Sequence, residues 1–76
     1  MSHFVLVYDR TAGVLVRQRQ YSSSREAMAA RFAAEDEFEG RPEIEIVDLS
    51  AASEDELRRT HARYFLTLDE LAARLG

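Results

Sequence analysis

The chain has 76 residues, a net charge of −4, no cysteine and two histidines. This is enough for one small domain, and a domain of this size buries only about 60% of the surface its unfolded chain exposes. Disulfide scaffolds and thiolate metal sites are excluded, two histidines alone make no zinc site, and no run approaches the roughly 20 apolar residues of a membrane helix.

Hydrophobic residues make up 46% of the chain, but eleven of them are alanine, which leaves 24 larger apolar side chains for a core. All ten basic residues are arginine. Arginine is the residue of choice for bidentate contact with carboxylate and phosphate, although a GC-rich coding sequence accounts for both the arginine and the alanine excess. The amino terminus carries a short apolar run without a preceding basic segment, unlike a secretory signal. The expectation is a cytoplasmic protein with no membrane partner.

In chain order, Phe4 to Tyr8 is the first strand. Phe4, Leu6 and Tyr8 alternate with Val5 and Val7, so both faces are apolar and the strand belongs at the centre of a sheet. Asp9-Arg10-Thr11-Ala12-Gly13 has hairpin chemistry, with an aspartate opening the turn and a glycine free to take positive φ at its end. Val14 to Tyr21 is the second strand. Its polar half, Arg17-Gln18-Arg19-Gln20, suits a sheet edge.

Ser23 and Glu26 have capping-box spacing. The first helix is expected from about Ser24 to Glu39, ended by Gly40 and Pro42. Its expected buried stripe is Ala27, Met28, Phe32, Ala34 and Phe38, and Arg31 can pair with Glu35 one turn on. Glu43 to Leu49 is the third strand. Ser53 and Glu56 begin a second helix carrying Leu57, His61, Tyr64 and Phe65 on one stripe. Thr67 and Glu70 begin a third, with Leu68, Leu71, Ala72 and Leu75 at helical spacing.

The order β-β-α-β-α-α predicts a single α+β domain over residues 1–76, with a three-stranded antiparallel sheet of order 2-1-3 and helices packed on it. The first helix covers one sheet face. The C-terminal helices either cover the other or leave it for a partner. In the second case Val5, Val7, Leu15, Val47 and Leu49 form an apolar interface, of a kind that monomers rarely expose.

Catalytic signals are sparse. His61 near Thr60 and Tyr64 has the elements of a general base, but the simpler reading is a half-buried histidine at the core edge. His3 is expected to be exposed. No phosphate loop, nucleophile elbow or zinc-binding motif occurs, so neither a catalytic residue nor a cofactor or metal is assigned.

Two charged patches stand out. Glu35, Asp36, Glu37, Glu39, Glu43 and Glu45 form a candidate acidic docking patch, four of them at the end of the first helix where the macrodipole disfavours them. Arg17, Arg19, Arg58, Arg59 and Arg63 form a candidate arginine patch, with Asp55 and Glu56 in reach of Arg59 and Arg63. Alternatively, the acids of one subunit meet the arginines of another. The expected role is a non-catalytic protein-interaction or regulatory module whose partner is another protein or a second copy in a homodimer. The alternative is a nucleic-acid-associated regulator using the arginine faces, and a small enzyme or ligand-binding domain ranks third.

The segment Leu66-Thr67-Leu68-Asp69-Glu70-Leu71-Ala72-Ala73-Arg74-Leu75-Gly76 resembles the first helix and turn glycine of bacterial helix-turn-helix repressor domains. That motif reads DNA with a second helix, and no sequence for one follows Gly76. The segment is therefore expected to be a structural helix, with no base-reading residue to carry over.

Overall fold

The computed structural model describes residues 1–66. The expected third helix, with its Thr67–Glu70 capping box, lies outside the described residues. The elements run β1 (Ser2–Asp9), β2 (Val14–Tyr21), α1 (Ser24–Glu37), β3 (Ile44–Ala51) and α2 (Glu54–Thr60), followed by one turn of 3₁₀ helix at Ala62–Tyr64. The sheet has order β2-β1-β3 with both pairings antiparallel. This is the α+β architecture and strand order expected from the apolar character of both faces of β1.

The turns form as local chemistry dictates. Asp9 Oδ1 accepts hydrogen bonds from the N–H groups of Thr11 (3.0 Å) and Ala12 (2.9 Å). Gly13 then takes φ 71° and donates its N–H to Asp9 O. Ser23 caps α1, its Oγ accepting from Glu26 N–H at 3.2 Å. The Glu26 carboxylate in turn accepts from the hydroxyls of Ser22 and Ser23, each at 3.0 Å. Ser53 caps α2 in the same way. After α1, Gly40 takes φ 83°, a conformation open to glycine at little cost.

Each face of β1 is buried by a different layer. Phe4, Leu6 and Tyr8 form a core cluster with Ala51, Leu57 and Tyr64, flanked by Leu15, Val47, Leu49 and Phe65. This is the α2 side of the sheet. Val5 and Val7, at 4% and 0% exposure, lie on the α1 side, where their cross-strand partners are Arg19 and Arg17 on β2 and Asp48 and Ile46 on β3. The register shifts between Val7 and Tyr8: Val7 pairs with Arg17 but Tyr8 pairs with Leu15. Val16 is thus the extra residue of a bulge, and the bulge turns Leu15 towards the Tyr8 face.

Three expectations are corrected. The apolar interface of Val5, Val7, Leu15, Val47 and Leu49 does not exist as one surface: the two valines lie under α1, while the other three pack on the opposite face. The second helix ends at Thr60, so Leu57 and Tyr64 reach the core from two separate elements. The buried stripe of α1 is narrower than expected. Ala27 and Ala34 are buried and Phe38 is half-buried, whereas Met28 and Phe32 are 49% and 57% exposed. The expected stripe mixed two faces of the helix. The alanine face lies inward because small side chains let the helix axis approach the short valines of β1.

Leu57→Ala should therefore cost ~2–5 kcal/mol, as for other buried leucines, whereas Phe32→Ala in dilute solution should be neutral within ~0.5 kcal/mol, as for surface changes. Urea denaturation of the two variants checks this. Equal losses would place Phe32 in the core.

Candidate functional site

The two charged patches come apart in the folded chain. Four of the six carboxylates meet an arginine of their own chain. Glu37 pairs with Arg17 (2.6 Å), Glu45 with Arg63 (2.8 Å), Glu43 with Arg41 (3.5 Å) and Glu35 with Arg31 (3.6 Å). Asp36 and Glu39 form no ion pair among the described residues. The acidic segment is thus not one acidic surface. Nor do the arginines gather: Arg17 and Arg19 flank Val5 and Val7 on the α1 side, while Arg58 and Arg63 lie with Phe65 and Tyr64 on the α2 side. Arg58 bonds Glu54 at 2.9 Å, in place of the expected pairing of Asp55 and Glu56 with Arg59 and Arg63. Arg59 has no ion pair among the described residues.

Two clusters are built tightly. On the α2 side Tyr64 Oη donates to Glu45 Oε2 at 2.7 Å, and Arg63 Nη2 donates to the same carboxylate at 2.8 Å. Arg63 stacks on the Tyr64 ring at 4.2 Å, and Tyr64 meets Tyr8 edge-on with centroids 5.3 Å apart. Burial and the hydrogen bond to the Glu45 carboxylate hold the Tyr64 hydroxyl above the usual phenol value. This phenol stays protonated and serves as a structural donor that ties the 3₁₀ turn to β3. Sequence reasoning missed the cluster because its members are separated by 18 and 19 positions.

On the α1 side, Arg17 makes a bidentate pair with Glu37, at 2.9 and 2.6 Å. Arg17 and Arg41 both stack on Phe38 at 5.5 Å. The pair stands at one end of a groove of about 180 Å³ between α1 and β2, floored by Val5 and Val7 and walled by Ala30, Ala33, Ala34 and Tyr21.

The histidines sit apart. His61 caps α2 and its Nδ1 shares a hydrogen bond with Thr60 Oγ1 at 2.9 Å. His3 is half-buried rather than exposed, its Nδ1 bonded to Ser50 Oγ across the sheet at 3.0 Å. Among the described residues no three His, Asp or Glu side chains are grouped to hold a metal ion, and no helix is long and apolar enough to cross a membrane.

The outward face of α1 carries two exposed large hydrophobic side chains, Met28 and Phe32. Arg25, Met28, Ala29, Phe32 and Asp36 stand at i, i+3, i+4, i+7 and i+11, one side of a helix. With Ser24, the first four line a shallow surface depression of about 420 Å³. This face lies opposite buried Ala27 and Ala34. Helical periodicity separates the two faces, since Met28 and Phe32 share a face from which Ala34 is excluded, but it does not say which of them seats on the sheet. No family model, curated protein or solved structure matches the chain.

The Arg17 guanidinium, first through its hydrogen bonds, holds the Glu37 carboxyl below the usual carboxylate range. Because the folded value is the lower one, the stabilisation is present above the unfolded carboxylate value and fades as pH falls through the folded value. Carboxyl-detected NMR titration should show Glu37 titrating low in the wild type and in the ordinary range in Arg17→Gln. The same titration in both proteins would dissolve the pair.

Proposed function

We propose that the chain is a small, non-catalytic interaction module that engages a protein through the outward face of α1. The observation that carries this reading is the exposure of Phe32 and Met28 on a helix whose opposite face buries Ala27 and Ala34 against the sheet. A large aromatic side chain held in water gains free energy when a partner covers it, at roughly 25 cal/mol per Å² of apolar surface removed. Phe32, 57% exposed, contributes little of that kind to its own domain, because the core clusters are built from other residues. Aromatic and methionine side chains are also the types enriched at interface cores.

The nucleic-acid reading draws less support. Its arginines divide between two sides of the sheet, and Arg17, Arg58 and Arg63 are engaged by carboxylates of the same chain. Enzymatic chemistry draws less still: among the described residues the His61 side chain bonds only the neighbouring Thr60, and Tyr64 is held as a structural donor.

Hydroxyl-radical footprinting tests the interaction reading. Met28 should oxidise readily in dilute purified protein. It should be protected either in concentrated purified protein or in a lysate of the cells that make it. Protection under neither condition overturns the reading.

A further inference from the structure

The outward face of α1 is self-complementary in charge. Arg25 stands at its amino-terminal end and Asp36 near its carboxy-terminal end, about 16 Å apart at 1.5 Å per residue. Between them lie Met28, Ala29 and Phe32. Neither Arg25 nor Asp36 forms an ion pair among the described residues. Their placement is the reverse of what the helix favours on its own, since the macrodipole prefers acids in the first turn and bases in the last. The last turn of α1 has no basic residue. A second body that brings an acid to Arg25 and a base to Asp36 would offset this charge order.

A second α1, laid antiparallel across a two-fold axis, is such a body. Where residues i and j face each other in such an interface, j and i face each other as well. The register that sets Arg25 against Asp36 of the other copy also sets Phe32 against Ala29. Two ion pairs then close the ends. In the middle, each phenyl ring lies over the small residue of the other helix, with Met28 filling beside it.

We infer that the protein pairs with a second copy of itself through antiparallel contact of the outward faces of α1. This inference rests on the interaction reading above and names the partner. The contact is a single helix face, small beside the ~1,200–2,000 Å² of a stable interface. The dimer is accordingly weak, and its population depends on concentration.

Charge reversal gives the test, because both reversals suit the helix dipole and leave the monomer folded. Sedimentation equilibrium of the full chain should show a monomer–dimer equilibrium for the wild type. Arg25→Glu alone and Asp36→Arg alone should each weaken it by roughly tenfold or more, since two attractive pairs become repulsive. An equimolar mixture of the two variants should recover wild-type association. In the mixed dimer the glutamate introduced in one copy faces the arginine introduced in the other, and the unchanged Asp36 and Arg25 meet at the second end. Circular dichroism verifies that each variant remains folded.

Single variants that associate like the wild type, or a mixture that stays monomeric, overturn the proposal. So does Met28 already protected in dilute monomer, which would mean that the chain covers its own face. If purified protein stays monomeric at its solubility limit while Met28 is protected in lysate, self-pairing is overturned and the interaction reading stands. If Met28 is protected nowhere, both fall.

Discussion

The structure depends on one constraint: five consecutive residues of β1, Phe4 to Tyr8, are all buried. A strand with apolar side chains on both faces cannot lie at a sheet edge or on a solvated surface. It must have a neighbour on each side and a layer above and below. β2 and β3 supply the neighbours, α1 one layer, and α2 with the 3₁₀ turn the other. With so few large apolar residues, the chain divides them unequally. The α2 side takes Phe4, Leu6, Tyr8, Leu57 and Tyr64, while the α1 side is closed by valine against alanine.

That division explains the role of the arginines. A core this thin leaves its margins close to water, and the arginines line those margins. Arg17 and Arg41 close over Phe38, Arg58 over Phe65, and Arg63 over Tyr64. In each case the guanidinium lies over an aromatic ring, and for Arg17, Arg58 and Arg63 it also bonds a carboxylate. Exposed ion pairs of this kind contribute little singly. Here they also extend the apolar layers outward and fix where the segments after β3 and α1 rest. Lysine, a point charge on a flexible stem, would not cover the rings in this way.

The closure of the α1 side by alanine has a second consequence. A helix that seats itself with small residues keeps its large ones for the other side. Phe32 and Met28 therefore face solvent while Ala27 and Ala34 are buried, although all four are apolar. The acids that end α1 divide in the same way: Glu37 turns towards Arg17 and the sheet, whereas Asp36 belongs to the outward face. A charge run that looks uniform along the chain therefore serves opposite sides of the helix.

The local features were legible in the sequence. The serine caps of α1 and α2, the Asp9–Gly13 turn and the glycine after α1 are set by residues within five positions of one another, and their hydrogen bonds form where that chemistry places them. The strand order was legible too, because only a central strand can bury both of its faces. The side of α1 that seats on the sheet was not legible, because the helix carries apolar residues on both sides and the choice depends on the size of the valines beneath it. The fate of the charges was equally hidden. Arg17 meets Glu37 and Arg63 meets Glu45 only after the hairpin bulge and the crossover to β3 have brought distant segments together. Short-range hydrogen bonding and alternation thus determined the elements and their order, while packing between layers decided which surfaces remain free to meet a partner.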